Sequence, residues 1–256
     1  MESVVTIPAF GDNFIYLYRY DKNNALAVDP CDSSAVLNSL NEHNLKLTTI
    51  LITHHHWDHT GGVSDLKKKT GCEVIGPDKR RIPAIDRVVD DKHVLAIGNI
   101  EIHVIATPGH TKTSVCYYIP ASNENEHKIL WTGDTLFAGG CGRIMECNAQ
   151  TMFDSLLRLA SLPDDTLVYC GHDYTLENYE FALTIEPDNK AVQQRLQEIK
   201  QTIRAGGFTV PSTILQEKAT NIFLRSDTNE IKTALKMPDA GAVDVFAELR
   251  RRKDIF

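Results

Sequence analysis

Four side chains able to hold a metal, His54, His56, Asp58 and His59, fall within six positions of the segment Thr53-His54-His55-His56-Trp57-Asp58-His59-Thr60-Gly61-Gly62. The segment directly follows an apolar, β-branched run, Thr48 to Thr53, and precedes a Gly-then-helix pattern. It reads as a short irregular loop at the end of a strand. Such a loop can aim several donors at one point without the periodicity of helix or strand getting in the way. Imidazole and carboxylate are the donors that Zn, Fe and Mn accept. His55 and Trp57 alternate with the donors and are expected to pack or support. With 42% apolar residues among 256, the chain has enough to bury a core, which excludes disorder as its main state.

Three further segments place one ligand-type residue beside glycine just after a strand pattern: Thr107-Pro108-Gly109-His110-Thr111, Thr132-Gly133-Asp134-Thr135 and Cys170-Gly171-His172-Asp173. Each alone is an ordinary turn or cap signal. Together they repeat the placement of the first motif, at strand ends where such folds gather function. His43, His93, His103 and His127 lack that context and are not expected to bind metal.

Up to about Gly171 the chain alternates short β-branched runs with helical patterns, such as Ser34 to His43, Gly62 to Thr70 and Thr151 to Leu159. This argues for an α/β fold, a mixed sheet layered with helices. After Tyr174 the patterns over 176–185, 190–205, 230–235 and 243–252 are helical and hardly any strand signal remains. Two units are expected, 1–173 and 174–256, packed together because no long linker separates them.

Acidic residues outnumber basic ones, 34 to 27, so the surface offers no broad footprint for nucleic acid. Met1 to Tyr20 has no basic start, and polar residues interrupt every apolar run, so neither an export signal nor a membrane span is expected. The six cysteines include no C-x-x-C pair and read as free thiols in a reducing compartment, the cytoplasm.

The chain resembles the metallo-β-lactamase superfamily and, within it, the hydroxyacylglutathione hydrolases, also called glyoxalase II. The resemblance rests on THHHWDH at 53–59, PGHT at 108–111, GDTLF at 133–137, GGCGR at 139–143, GHDYT at 171–175 and LRRRKDIF at 249–256. It implies an αββα metallo-β-lactamase sandwich with a smaller, mainly helical C-terminal domain that binds substrate. It also implies two divalent metal ions, zinc first and Fe or Mn as alternatives. His54, His56 and His110 would hold one, Asp58, His59 and His172 the other, and Asp134 would bridge them. Asp29, in Val-Asp-Pro, is either the family's outer carboxylate that orients a ligand histidine or an ordinary turn residue before Pro30.

Two such ions would lower the pKa of a shared water enough to make it the nucleophile, with Asp58 and Asp134 the carboxylates at the reacting centre. No G-x-S-x-G elbow or clear Cys-His arrangement offers a covalent alternative. A thioester suits the site, since a thiol of pKa about 8.5 leaves without a strong general acid. The tail Arg250-Arg251-Arg252-Lys253-Asp254 is the one dense basic cluster. By the resemblance, Arg250 and Lys253, with Arg143 and Tyr174, would grip glutathione. The expected reaction converts S-D-lactoylglutathione to D-lactate and glutathione, the second step of methylglyoxal detoxification. Met145 departs from the pattern, since relatives commonly carry an aromatic residue there. A monomer acting on a small-molecule thioester is expected, without nucleic acid or membrane. A persulfide dioxygenase, a β-lactamase, a nuclease and a non-catalytic metal or glutathione module are the rival readings.

Overall fold

The computed structural model describes residues 3–121 and 127–256. Met1 and Glu2, part of the stretch read above for an export signal, lie outside them. Strands β1 (Val4–Ala9), β2 (Asn13–Arg19) and β3 (Asn24–Val28) form an antiparallel meander. Helix α1 (Ser33–Glu42) then returns the chain so that β4 (Lys46–Leu51) runs parallel to β3. After α2 (Trp57–Thr60) and α3 (Val63–Thr70), strands β5 (Glu73–Gly76) and β6 (Arg87–Val88) complete a sheet ordered β1-β2-β3-β4-β5-β6.

The second sheet is built from β7 (Val94–Ile97), β8 (Ile100–Ala106), β9 (Val115–Ile119) and β10 (Ile129–Gly133), all antiparallel to their neighbours in sequence. A small hairpin, β11 (Leu136–Phe137) and β12 (Gly140–Cys141), and helix α4 (Ala149–Ala160) lead to β13 (Leu167–Cys170), which lies parallel to β10. The remaining chain is α5 (Thr175–Ile185), α6 (Lys190–Arg204), β14 (Ser212–Thr213), α7 (Ile214–Thr220), α8 (Asn229–Ala234) and α9 (Ala242–Lys253).

Alternation along the strands shows how the layers stack. On β9, Val115, Tyr117 and Ile119 join Phe14, Tyr16 and Leu51 in a core between the two sheets, whereas Cys116 and Tyr118 join Met152, Leu156 and Phe246 beneath the helices. On β2, Ile15 and Leu17 turn outward to Val36, Leu40, Val63 and Leu66 of α1 and α3. Both sheets are therefore covered on both faces, which is why several strands carry continuous apolar runs. This is the αββα sandwich, two mixed sheets rather than the single one that the periodicity alone argued. Sequence reading missed β5, β6, β7, β11, β12, β14 and α7, the strands because they span two to four residues and offer too few positions for a pattern. The C-terminal helices are not a separate body: they share a core with α4 and the second sheet, and β14 pairs with β13.

The topology gathers strand ends. β8, β10 and β13 point the same way, so the segments after them emerge along one edge of the second sheet. The end of β4 is tied to that edge by Val115 N–H donating to Thr53 C=O (3.0 Å) and the Tyr117 hydroxyl donating to Ile52 C=O (2.9 Å).

Local signals hold at the helix ends. Asp32 caps α1, accepting from the N–H groups of Ser34 (2.8 Å) and Ala35 (3.3 Å). Replacing it with Ala is expected to cost about 1 kcal/mol. In a chain of this size that lowers Tm by about 2–4 °C, measurable by thermal denaturation, and an unchanged Tm would contradict the capping role.

Candidate metal centre and substrate cleft

The histidine segment is not wholly irregular, as its sequence indicated. Residues 57–60 close one helical turn, α2, with His56 as its N-cap and Asp58 in its first turn. His54 stands before the turn and His59 within it, both buried. Trp57 is 71% exposed, with its ring 5.8 Å from that of Phe10, so it is not a core packing residue. His55 lies to one side, its Nε2 3.1 Å from Arg81 Nη1.

Two groups of donors converge. In the first, His56 Nδ1 lies 3.0 Å from both His54 Nε2 and His110 Nε2. The other nitrogen of each outer ring is already committed. His110 Nδ1–H donates to the Arg143 carbonyl (2.9 Å). The Thr53 hydroxyl gives its single proton to Asp29 Oδ2 (2.6 Å), so it must accept from His54 Nδ1–H (3.0 Å). Three ring nitrogens thus face one another with at most one proton among them, an arrangement that a cation satisfies and hydrogen bonding cannot.

In the second group, Asp58, His59 and His172 present one donor atom each within 4.8 Å of one another. His172 Nε2 is 3.4 Å from Asp58 Oδ2 and 3.4 Å from Asp134 Oδ2, and His59 Nε2 is 3.4 Å from Asp134 Oδ1. Asp134 Oδ2 is also 3.5 Å from His110 Nε2, so this one carboxylate faces both groups. His59 Nε2 and Asp134 Oδ1 are buried without a hydrogen-bond partner. Groups so placed are normally satisfied, and the donor set fits two divalent cations.

The electrostatics separate the groups. Burial pushes the His54 imidazole well below its ordinary range, with His59 adding to it, and burial and His110 bring His56 down to about 4. Burial opposes charge in the second group too, but there it is outweighed. Hydrogen bonds to Asp134 and Asp58 lift His172 to about 10, and Asp134 and Asp29 lift His59. The same contacts hold Asp58 down at about 2 and Asp134 well below the carboxylate range.

Asp29 lies buried against the histidine segment. It accepts from Thr53 N–H (2.8 Å), the Thr53 hydroxyl and His59 Nδ1–H (2.9 Å), which leaves His59 Nε2 facing the centre. Its backbone is left-handed (φ 48°), a strained state before proline that persists only where surroundings over-determine it.

Beside the centre lies a cleft of about 350 Å³ whose lining includes His110, Asp134, Phe137, Cys141, Gly142, Glu177 and Asn178, together with all four residues expected to grip substrate, Arg143, Tyr174, Arg250 and Lys253. Tyr174 stacks on His172 (centroids 5.0 Å apart, planes 3° from parallel), and burial keeps its phenol protonated, pushing the pKa up. Arg250 is buried, donating to Cys141 C=O (2.7 Å) and Asp254 Oδ1, with its guanidinium 5.2 Å from the centre of the Phe223 ring. The cations of the basic tail are already partnered within the chain. Lys253 pairs with Glu177, Arg251 and Arg252 pair with Glu248, and Arg250 and Arg143 pair with Asp254. Only Arg250 and Lys253 turn inward to the cleft as buried cations.

Comparison with known proteins decides the family. Residues 10–172 match the family model of the metallo-beta-lactamase superfamily, and residues 173–256 match that of the hydroxyacylglutathione hydrolase C-terminus. A hydroxyacylglutathione hydrolase of Chromohalobacter salexigens is 45% identical over all of both chains. One from Rhodopseudomonas palustris is 42% identical over 97% of this chain and 96% of that relative. The chain belongs to the hydroxyacylglutathione hydrolases of the metallo-β-lactamase superfamily. Among solved structures, the BLEG-1 B3 metallo-beta-lactamase superposes with a TM-score of 0.66 over 86% of this chain and 99% of that one, at 24% identity, a likeness of fold.

Within this hydroxyacylglutathione hydrolase fold the structure adds site residues that the motifs did not single out. Asp12, on the turn after β1, faces His172 Nδ1 at 3.2 Å, and Asn13 donates to Asp58 C=O (2.9 Å). Both sit in a Gly-Asp-Asn turn that looks like any other turn in sequence. Thr53 adjoins the histidine segment and its hydroxyl role follows only from Asp29 being opposite. Met145, the departure from the family pattern, is 63% exposed and stands outside the cleft lining. All six cysteines are free, as expected, and among the described residues no helix is long and apolar enough to cross a membrane.

Proposed function

We propose that the chain hydrolyses S-(2-hydroxyacyl)glutathione thioesters, converting S-D-lactoylglutathione to D-lactate and glutathione, with zinc as the resident metal and Fe or Mn as alternatives. The observation that carries this reading is the cleft whose lining brings His110 and Asp134, the carboxylate that faces both donor groups, together with the buried cations Arg250 and Lys253. Family membership and the full-length relatives support the same reaction.

His54, His56 and His110 hold one cation, Asp58, His59 and His172 the other, and Asp134 reaches both. When bound, two divalent cations polarise a carbonyl and lower the pKa of water. The residues of the chain do the remainder. Arg250 and Lys253, with Arg143, hold the carboxylates of glutathione, Arg by its planar fork and Lys as a point charge. Tyr174, kept protonated, donates a hydrogen bond from its place over His172. No general acid is required, because the thiol leaves as thiolate. Residues 1–173 carry the metal centre and 174–256 complete the substrate cleft. The chain works as a cytoplasmic monomer without nucleic acid or membrane partners.

The direct test follows the thioester's ultraviolet absorbance while metal is counted in the same sample. Hydrolysis that disappears on chelation and returns with metal is the expected result. Metal without hydrolysis would leave a binding module, and hydrolysis that survives complete chelation would end this reading.

Metal uptake should also be linked to protons. A ligand imidazole must be deprotonated. At pH 7 the metal-free His172, with its pKa raised to about 10, carries a second ring proton that the cation must displace, whereas His54 and His56, both lowered, are neutral and have no such proton to lose. Calorimetric titration of metal into the stripped protein, in buffers of differing ionisation enthalpy, should resolve one step nearly free of proton release and one that releases protons. Affinity in the second step should rise as pH approaches about 10. Equal proton release in both steps would contradict the ligand assignment.

A further inference from the structure

A carboxylate that touches neither metal ligand nor cleft is nevertheless fully buried. Glu217, on α7, has no exposed surface, and burying such a group is costly; its Oε1 has no hydrogen-bond partner among the described residues, so what it does is done through Oε2. Its Oε2 accepts from Gly139 N–H (2.9 Å) and from Asn221 Nδ2 (2.9 Å). Asn221 Nδ2 donates in turn to Gly140 C=O (2.9 Å), and Asn178 Nδ2 donates to Ala138 C=O (3.1 Å). Three side chains of the C-terminal unit thus hold the backbone at the tip of the β11–β12 hairpin.

The fit there is close. A Cβ on Gly139 would sit 2.4 Å from the Tyr179 ring, and one on Gly140 would sit 2.5 Å from the Asn178 amide. This gives the two adjacent glycines of GGCGR a physical role that substrate binding does not. From the clamped tip, β12 runs straight into Gly142, where a Cβ would lie 1.9 Å from the Asp134 carbonyl. The next residue supplies the Arg143 carbonyl that accepts from His110 Nδ1–H and so turns Nε2 toward His54 and His56. A hairpin free to shift would carry that acceptor away from His110 and loosen the backbone beside Asp134.

We propose that Glu217 and Asn221 are positioning residues for the metal centre, acting through the hairpin to fix the orientation of His110. The helical unit then completes the metal site as well as the cleft. The inference rests on His110 holding a cation, as proposed above.

The test is zinc affinity of the chelator-stripped full chain, measured by competition with a chromophoric chelator, alongside Tm. Outer partners of metal ligands commonly shift affinity by 10–100-fold, and Glu217→Ala and Asn221→Ala are each expected to weaken, about tenfold, the same one of the two zinc-binding steps that His110→Ala weakens. Glu217→Gln retains an acceptor and the shape, folds most readily, and should stay within about twofold of the parent. Arg225→Ala breaks the ion pair with Glu186 in the same unit without touching the hairpin, and should lower Tm while leaving zinc affinity unchanged. Parental affinity in a folded Glu217→Ala or Asn221→Ala variant overturns the proposal, as does an equal loss in Arg225→Ala or a tenfold loss in Glu217→Gln. His110→Ala separates the two levels: unchanged affinity in it overturns the ligand assignment, and the inference with it.

Discussion

Asp134→Ala is expected to abolish thioester hydrolysis. Asp134 faces both donor groups, within 3.5 Å of His59, His110 and His172. On the proposed assignment its loss removes a ligand from each side, and with it goes the negative charge that offsets the neighbouring His59 and His172 imidazoles. Metal ions contribute several kcal/mol of charge stabilisation to such reactions, and each 1.4 kcal/mol is tenfold in rate. A fall in kcat/KM of at least about 10³-fold therefore follows, accompanied by lower metal content. Metal analysis and single-turnover hydrolysis on the same preparation check it. Full metal content with near-normal turnover would remove Asp134 from the centre.

Arg250→Ala should act differently. Its guanidinium is buried at the cleft, held by Cys141 C=O, Asp254 and the face of Phe223, and is thereby aimed before substrate arrives. A hydrogen bond to a charged group contributes about 1.5–3 kcal/mol. Its loss should raise KM for the glutathione thioester about 10–100-fold, with kcat changed only a few-fold. Arg250→Lys should fall between, keeping charge but losing the two-pronged geometry. Steady-state kinetics on a glutathione thioester and on a simple thioester without carboxylates separate the effects. The simple thioester should be hydrolysed equally by parent and variant, and equal losses on both substrates would show that Arg250 serves the fold and not the substrate.

Particular elements show why some features were legible in sequence. The sequences of β2, β9 and β10 read as strands because residues alternate between a core of sheet against sheet and a core of sheet against helix, leaving uninterrupted apolar runs. Helix α4 was plain because Met152, Leu156 and Leu159 recur on one buried face. β14 was not, because two residues carry no period and its pairing with β13 is made across more than forty positions. The single turn α2 was hidden inside a segment dominated by histidines, whose pattern carries no helical period. The pairing within the basic tail was not legible for a different reason: Glu177 and Asp254 lie opposite its charges in space, and a linear count of charge cannot pair them.

The sequence alone determined which donor types are present and that each follows a strand, because ligand chemistry and strand periodicity are both local properties of the chain. Tertiary structure alone decided their convergence. His172 meets Asp12 across 160 residues and Arg250 meets Cys141 across 109, contacts that exist only once two sheets have stacked and their strand ends share an edge. It also decided which nitrogen of each ring faces inward, since that depends on what the other nitrogen finds: a threonine hydroxyl, a backbone carbonyl or a carboxylate brought from elsewhere in the fold.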